Sequence, residues 1–242
     1  MKRLFISLAI LAGISLSSCN DSFLEKTPVT DLTENNAFNS YDNFKAFMWP
    51  CYEMFTNNTI RTSLQGFGQD GQYKGDMAAG YFQQKYESGY NEFAYQTVAS
   101  VASGNGWDFK SFIRRVNIML SHIDNSSMTE AQKDHWRAVG YFFHSFWYME
   151  LIDRFGDVPW VDQVLQEDSP EAYGPRVDRK TVADKVLERL QWAEQNIGNF
   201  TSQDGDNTIN QDCVRAVISR FGLREGTWRK YHELGDYDKY LQ

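Results

Sequence analysis

One stretch constrains this chain more than any other. From Trp136 to Leu151, bulky apolar residues recur at three- and four-residue steps (Trp136, Val139, Phe143, Phe146, Trp147, Leu151), the period of one helix face. Ser127, followed three residues later by Glu130, has the form of a capping box and predicts the start of that helix. Gly156 predicts its stop, and Pro159 bars its resumption. A helix this long and this aromatic needs other helices to cover it.

The remainder of the chain supplies them. Phe38, Tyr41, Phe44, Met48, Cys51 and Phe55 share one helical face, which Pro50 should kink or split. Phe112, Val116, Met119 or Leu120, and Ile123 form a second stripe. A third runs from a cap at Asp178 through Val182, Val186, Leu190, Ala193 and Ile197, and a fourth starts near Asn210 and passes Val214, Val217, Ile218 and Phe221. Only 157–164 reads as β-like. Residues 65–106 hold 8 of the 17 glycines and read as long irregular loops, with room for a short helix within 77–101. Trp136-x-x-Val139-Gly140-x-x-Phe143 matches the first half of a tetratricopeptide pattern, with Gly140 allowing close approach of a neighbouring helix, but Gly156 and Pro159 break the second half. The expected class is mainly α, built from paired helices with long insertions.

The first residues carry different information. Met1-Lys2-Arg3, an apolar run from Leu4 to Leu16, and Ser17-Ser18-Cys19 describe an export signal that is too short to span a bilayer. Leu16-Ser17-Ser18-Cys19 resembles a bacterial lipobox, so residues 1–18 are expected to be removed and Cys19 to carry lipid, with 19–33 as a polar tether and 34–242 as the folded part. Cys51 and Cys213 then remain; two free thiols are preferred over a bridge.

Net charge −8 argues against nucleic acid as a partner. No two of the four histidines (122, 135, 144, 232) have metal-ligand spacing on a helix, and each reads as a surface or packing residue. Asp204-Gly205-Asp206-Asn207 opens like a calcium loop but lacks its glycine and closing Glu, and reads as a solvated turn. Gly66-Phe-Gly-Gln-Asp-Gly71 spells a dinucleotide fingerprint without the strand and helix that it requires. No catalytic residue, metal ligand or cofactor is expected. The aromatic content is 15%, and Tyr73, Tyr81 and Trp107 lie in or beside the glycine-rich loops with Gln72, Asp76 and Asn105 nearby. Rings with polar neighbours are what a sugar face requires, so these three are the candidate ligand contacts; loop packing is the alternative for each.

Several stretches together resemble the SusD/RagB family of Bacteroidetes outer-membrane lipoproteins: the opening Cys19-Asn20-Asp21-Ser22-Phe23-Leu24, the segment Ile113-Arg114-Arg115-Val116-Asn117, Arg137-Ala138 through Tyr148, and Leu151-Ile152-Asp153-Arg154-Phe155-Gly156-Asp157-Val158-Pro159. The resemblance implies a tetratricopeptide-like helical scaffold facing the cell exterior from a lipid anchor. It also implies capture of a glycan or peptide nutrient, handed without cleavage to a TonB-dependent SusC-like transporter. Members are commonly longer, so the chain is expected to be an N-terminal portion with exposed apolar surface at its end. Other readings are an outer-membrane scaffold without a small ligand, a non-functional fragment, and a lipid-anchored glycoside hydrolase.

Overall fold

The computed structural model describes residues 37–55, 110–205 and 207–242. The chain divides into Met1–Ala37 and Phe38–Gln242, and the account below concerns the second unit. Its helices are α1 (Tyr41–Met48), α2 (Lys110–His122), α3 (Glu130–Phe155), α4 (Arg179–Asn196), the single turn α5 (Thr201–Asp204) and α6 (Gln211–Tyr231). A 3-10 segment, Trp49–Phe55, continues α1 through Pro50, and shorter 3-10 turns cover Pro170–Tyr173 and Asp238–Tyr240. The expected β-like stretch reduces to one isolated bridge, Val158 to Val177. Among the described residues the protein is mainly α, as its periodicity predicts.

The long aromatic helix is the spine. Its cap is Thr129, whose side chain accepts from the Gln132 amide while the Gln132 side chain accepts from the Thr129 amide. The box expected at Ser127 and Glu130 is therefore displaced by two residues. Ser127 is engaged elsewhere, donating its amide and hydroxyl to the Asn39 carbonyl at 3.1 and 2.6 Å. Both positions satisfy the local pattern, and a tertiary bond decides between them. At the far end Gly156 takes φ +69°, a conformation that other residues resist.

Helix α3 is buried beyond its predicted face: Ala138, Phe142, Tyr148, Met149 and Ile152 are inside together with Trp136, Val139, Phe143 and Phe146. A helix apolar on all sides must be surrounded, and α2 and α4 flank it. Tyr141 meets Trp192 at 5.2 Å near one end, and Asp153 meets Arg179 at 3.7 Å near the other, so α3 and α4 run antiparallel. Arg215 reaching Glu194 and Arg179 reaching Glu225 make α4 and α6 antiparallel in turn. Gly140 admits α2 closely: a Cβ there would lie 2.6 Å from the Met119 Cε and 2.9 Å from the Leu120 Cδ2.

Three of the four stretches that carry the family resemblance, Ile113–Asn117, Arg137–Tyr148 and Leu151–Pro159, converge on one construction. After Pro159 the chain turns back across α2 and α3. Tyr148 Oη donates to the Pro159 carbonyl (3.0 Å) and accepts from the Val161 amide (2.7 Å). His144 Nε2 donates to the Val161 carbonyl at 2.9 Å, and Asn117 Nδ2 donates to the Val161 and Gln163 carbonyls. Arg114 donates to the Leu165 carbonyl. Three buried side chains, Asn117, His144 and Tyr148, and the exposed Arg114 thus supply, from two helices, the partners that this irregular backbone would otherwise lack.

The chain closes on α6. Gly222 faces the backbone carbonyl of Tyr240, and a Cβ there would collide with it. Neither backbone can yield as a side-chain tip can. Gly222→Ala is therefore expected to cost about 2–3 kcal/mol, whereas Gly140→Ala, which meets only flexible tips and gains helix propensity, should change stability by less than about 1 kcal/mol. Urea unfolding of the two variants side by side checks the contrast.

Candidate binding surface

The sequence-level candidates Cys19, Tyr73, Tyr81 and Trp107 lie outside the described residues. The described rings show why an aromatic on the surface is not thereby a sugar platform. Trp160 has Tyr148 and His144 against it at 4.5 and 4.9 Å, and Arg189 and Lys185 over its ring at 4.9 and 5.3 Å. These neighbours already occupy it.

Two hollows flank the connector between α4 and α6. The larger, about 490 Å³, lies among the 3-10 segment, α3 and α6, with Tyr52, Phe55, Phe142, Phe146 and Val217 in its wall and Glu150 and Arg220 among its few charges. Its volume is that of a ligand site, but its lining is chiefly apolar. The smaller cleft, about 280 Å³, is more polar and is lined by His135, Asn199, Phe200, Asp204, Asn210 and Asp212, among others. Thr208 and Ile209 belong to both. The Ile209 amide donates to Tyr52 Oη at 3.1 Å, which fixes this shared wall.

Glu150 is the carboxylic acid in the lining of the larger hollow. Burial pushes its carboxyl up to about 7, opposed by Arg224 and aided by Asp153. Arg224 stands 4.0 Å from Glu150 but is committed elsewhere, at 2.5 Å to Asp153 and 3.1 Å to the Met149 carbonyl. A carboxyl raised in the folded state binds its proton more tightly there than in the unfolded chain. It therefore favours folding at low pH, and this contribution is lost as pH rises from about 4.5 through 7. Glu150→Gln is accordingly expected to stabilise the chain by about 1 kcal/mol or more at pH 8 and by little at pH 5, which denaturation at the two pH values measures.

Two of the four histidines, His144 and His135, are buried. His144 is wholly enclosed, and burial, with the Arg189 charge second, holds its ring well below the ordinary range. His135 is also buried, inside a polar cluster with Asp204. Asp204 corrects the solvated-turn expectation: its side chain is only 4% exposed and accepts from Tyr41 Oη, 163 positions away. No local pattern announces such a pairing. Cys51 and Cys213 are free thiols, buried and half-buried. Among the described residues no group of His, Cys, Asp or Glu could hold a metal ion, and no helix is long and apolar enough to cross a membrane.

The fold thus defines a class: antiparallel helices stacked in chain order, with irregular segments pinned to them by buried polar side chains. The chain belongs to the SusD-like family described as "Starch-binding associating with outer membrane", whose model matches residues 22–223. Among solved structures the fold is similar to a SusD-like protein from Bacteroides fragilis NCTC 9343 (TM-score 0.60, 17% identity, 84% of this chain and 39% of that one). It is also similar to a SusD-like carbohydrate-binding protein from Bacteroides vulgatus ATCC 8482 (0.57, 18%, 84% and 45%) and to a laminarin-binding SusD-like protein (0.55, 16%, 78% and 41%). The chain spans less than half the length of these proteins. No curated protein matches it.

Proposed function

We propose that this protein is a lipid-anchored, non-catalytic capture protein at the bacterial outer surface, which binds an oligosaccharide and passes it to a TonB-dependent SusC-like transporter. The observation that carries this reading is the family match across residues 22–223. In it, residues 1–18 form the export signal, Cys19 bears the lipid, 19–33 is the tether and 34–242 is the helical part.

Two features of the described residues support it. The helices pack on one another around a buried apolar core, as befits a binding frame. The larger hollow is too apolar for a sugar, whose hydroxyls would lose water without gaining partners there. In this reading glycan contact is assigned to Tyr73, Tyr81 and Trp107, the rings that stand among polar neighbours in the glycine-rich sequence. A relative of this fold binds laminarin, which makes β-glucans the first class to test.

Replacing Tyr73, Tyr81 and Trp107 together with Ala is expected to weaken glycan binding about a hundredfold, from roughly 1 kcal/mol per ring, while leaving co-purification of a barrel transporter intact. Titration calorimetry with soluble glucans and affinity capture from outer membranes read the two effects. Unchanged glycan binding with lost transporter capture would instead favour the scaffold reading.

A further inference from the structure

We propose that Trp49 is a further glycan contact, a flat platform for one sugar ring that is carried on the helical frame itself. The inference rests on the capture reading above and adds to it a residue from outside the glycine-rich loops.

Among the described residues two tryptophans are exposed, Trp49 at 52% and Trp228 at 42%. Their surroundings differ. Trp228 has His232 stacked on it at 3.9 Å and the Arg179 guanidinium over its ring at 4.6 Å. Like Trp160, it is already occupied. Trp49 has one ring neighbour among the described residues, Tyr52, at 5.2 Å and 29° from parallel. A near-parallel neighbour backs one face of the indole, and half of the residue still meets water. The open face suits a sugar, whose C–H face is flat and apolar while its hydroxyls point outward.

The ring is also held in place. Trp49 caps α1, its amide donating to the Lys45 carbonyl, and Pro50 fixes the next φ. Behind it, Tyr52 Oη accepts from the Ile209 amide at 3.1 Å, and the Tyr52 ring meets Phe143 edge to face at 5.0 Å. Phe143 is buried in α3. Trp49 is thus the outermost of three rings in contact from the surface to the core, and stacking on a ring already fixed loses little side-chain freedom.

Hydrogen-bonding groups stand on the segments tied to these rings. Asn207 is exposed and lines the larger hollow together with Tyr52. Gln203, also exposed, is joined to α1 by Lys45 Nζ, which donates to its carbonyl at 2.9 Å. A side-chain amide both donates and accepts, as a sugar hydroxyl does.

Titration calorimetry of the full chain and three variants with a panel of soluble glycans, β-glucans first, tests the platform. Trp49→Ala is expected to weaken glycan binding about fivefold, Trp49→Phe to keep most of the affinity, and Trp228→Ala to leave it unchanged. In the unaltered chain the indole N–H resonance of Trp49, identified by its loss in Trp49→Phe, should shift as the bound fraction rises. A chain that binds no glycan of the panel overturns the capture reading and the platform with it. Glycan binding that is as tight after Trp49→Ala, that weakens equally after Trp228→Ala, or that leaves the Trp49 resonance in place overturns the platform alone.

Discussion

Arg229→Met is expected to destabilise the chain by about 3–5 kcal/mol, which is large for one substitution. Arg229 is 0% exposed. Its Nε donates to Glu225 (2.8 Å), and its Nη2 donates to Asp184 (2.6 Å), the Lys180 carbonyl (3.0 Å) and Tyr240 Oη (3.0 Å). Met fills much of the same space, so the loss measures charge rather than volume. Glu225, 1% exposed, would keep only Arg179 at 2.7 Å, and an under-compensated buried carboxylate is what makes breaking such pairs expensive. Adding Glu225→Gln to the Met variant should recover part of the loss. The turn Asp238–Tyr240, tied to α6 through this guanidinium and Asp184, should lose amide protection first. Arg215→Met, which removes a pair whose arginine is 56% exposed, should cost under about 1 kcal/mol. Urea unfolding of these variants tests the ranking.

The second large effect concerns the segment after Pro159. Tyr148→Phe removes one hydroxyl that both donates to Pro159 and accepts from Val161, and Asn117→Ala removes two donations to the Val161 and Gln163 carbonyls. Tyr148→Phe leaves the half-buried Pro159 carbonyl and Val161 amide without this partner, and Asn117→Ala strips the Gln163 carbonyl while Val161 keeps His144, so each is expected to cost about 1–2 kcal/mol. Because both act on Val161, the double variant should cost less than the sum by about 1 kcal/mol. Strict additivity in the double-mutant cycle would show that the segment is not held as a unit.

These two sites mark where the sequence was informative. The stripes Val182–Val186–Leu190–Ala193, and Phe38 through Cys51, are buried as their periods predict, and the caps at Asp178 and Asn210 are where the pattern places them. Such features depend on near neighbours. On α6 the apolar stripe ends at Phe221, and Glu225 and Arg229 beyond it are an i, i+4 charged pair of the kind that ordinarily faces water. They continue the buried line Val214–Phe221, and the continuation of period beyond the last apolar residue was the available signal. Val217 and Ile218, expected inside, are only half-buried because α6 has one packed side.

The binding surface was less legible for a different reason. Tyr52 and Phe55, Phe142 through Glu150, and Cys213 through Arg220 form one hollow from three distant parts of the chain, and His135 meets Asp204 across a comparable separation. Periodicity does not encode pairings between elements. Resemblance reached further, since the Ile113–Asn117 and Phe155–Pro159 stretches proved to be two sides of one hydrogen-bonded construction.

The most direct test of the central claim is titration calorimetry of the full chain against a panel of soluble glycans, β-glucans first, with reducing ends assayed in the same samples. Saturable binding of at least one glycan with no new reducing ends is the predicted result. No binding across the panel, or reducing ends that accumulate with time, would contradict a non-catalytic capture protein.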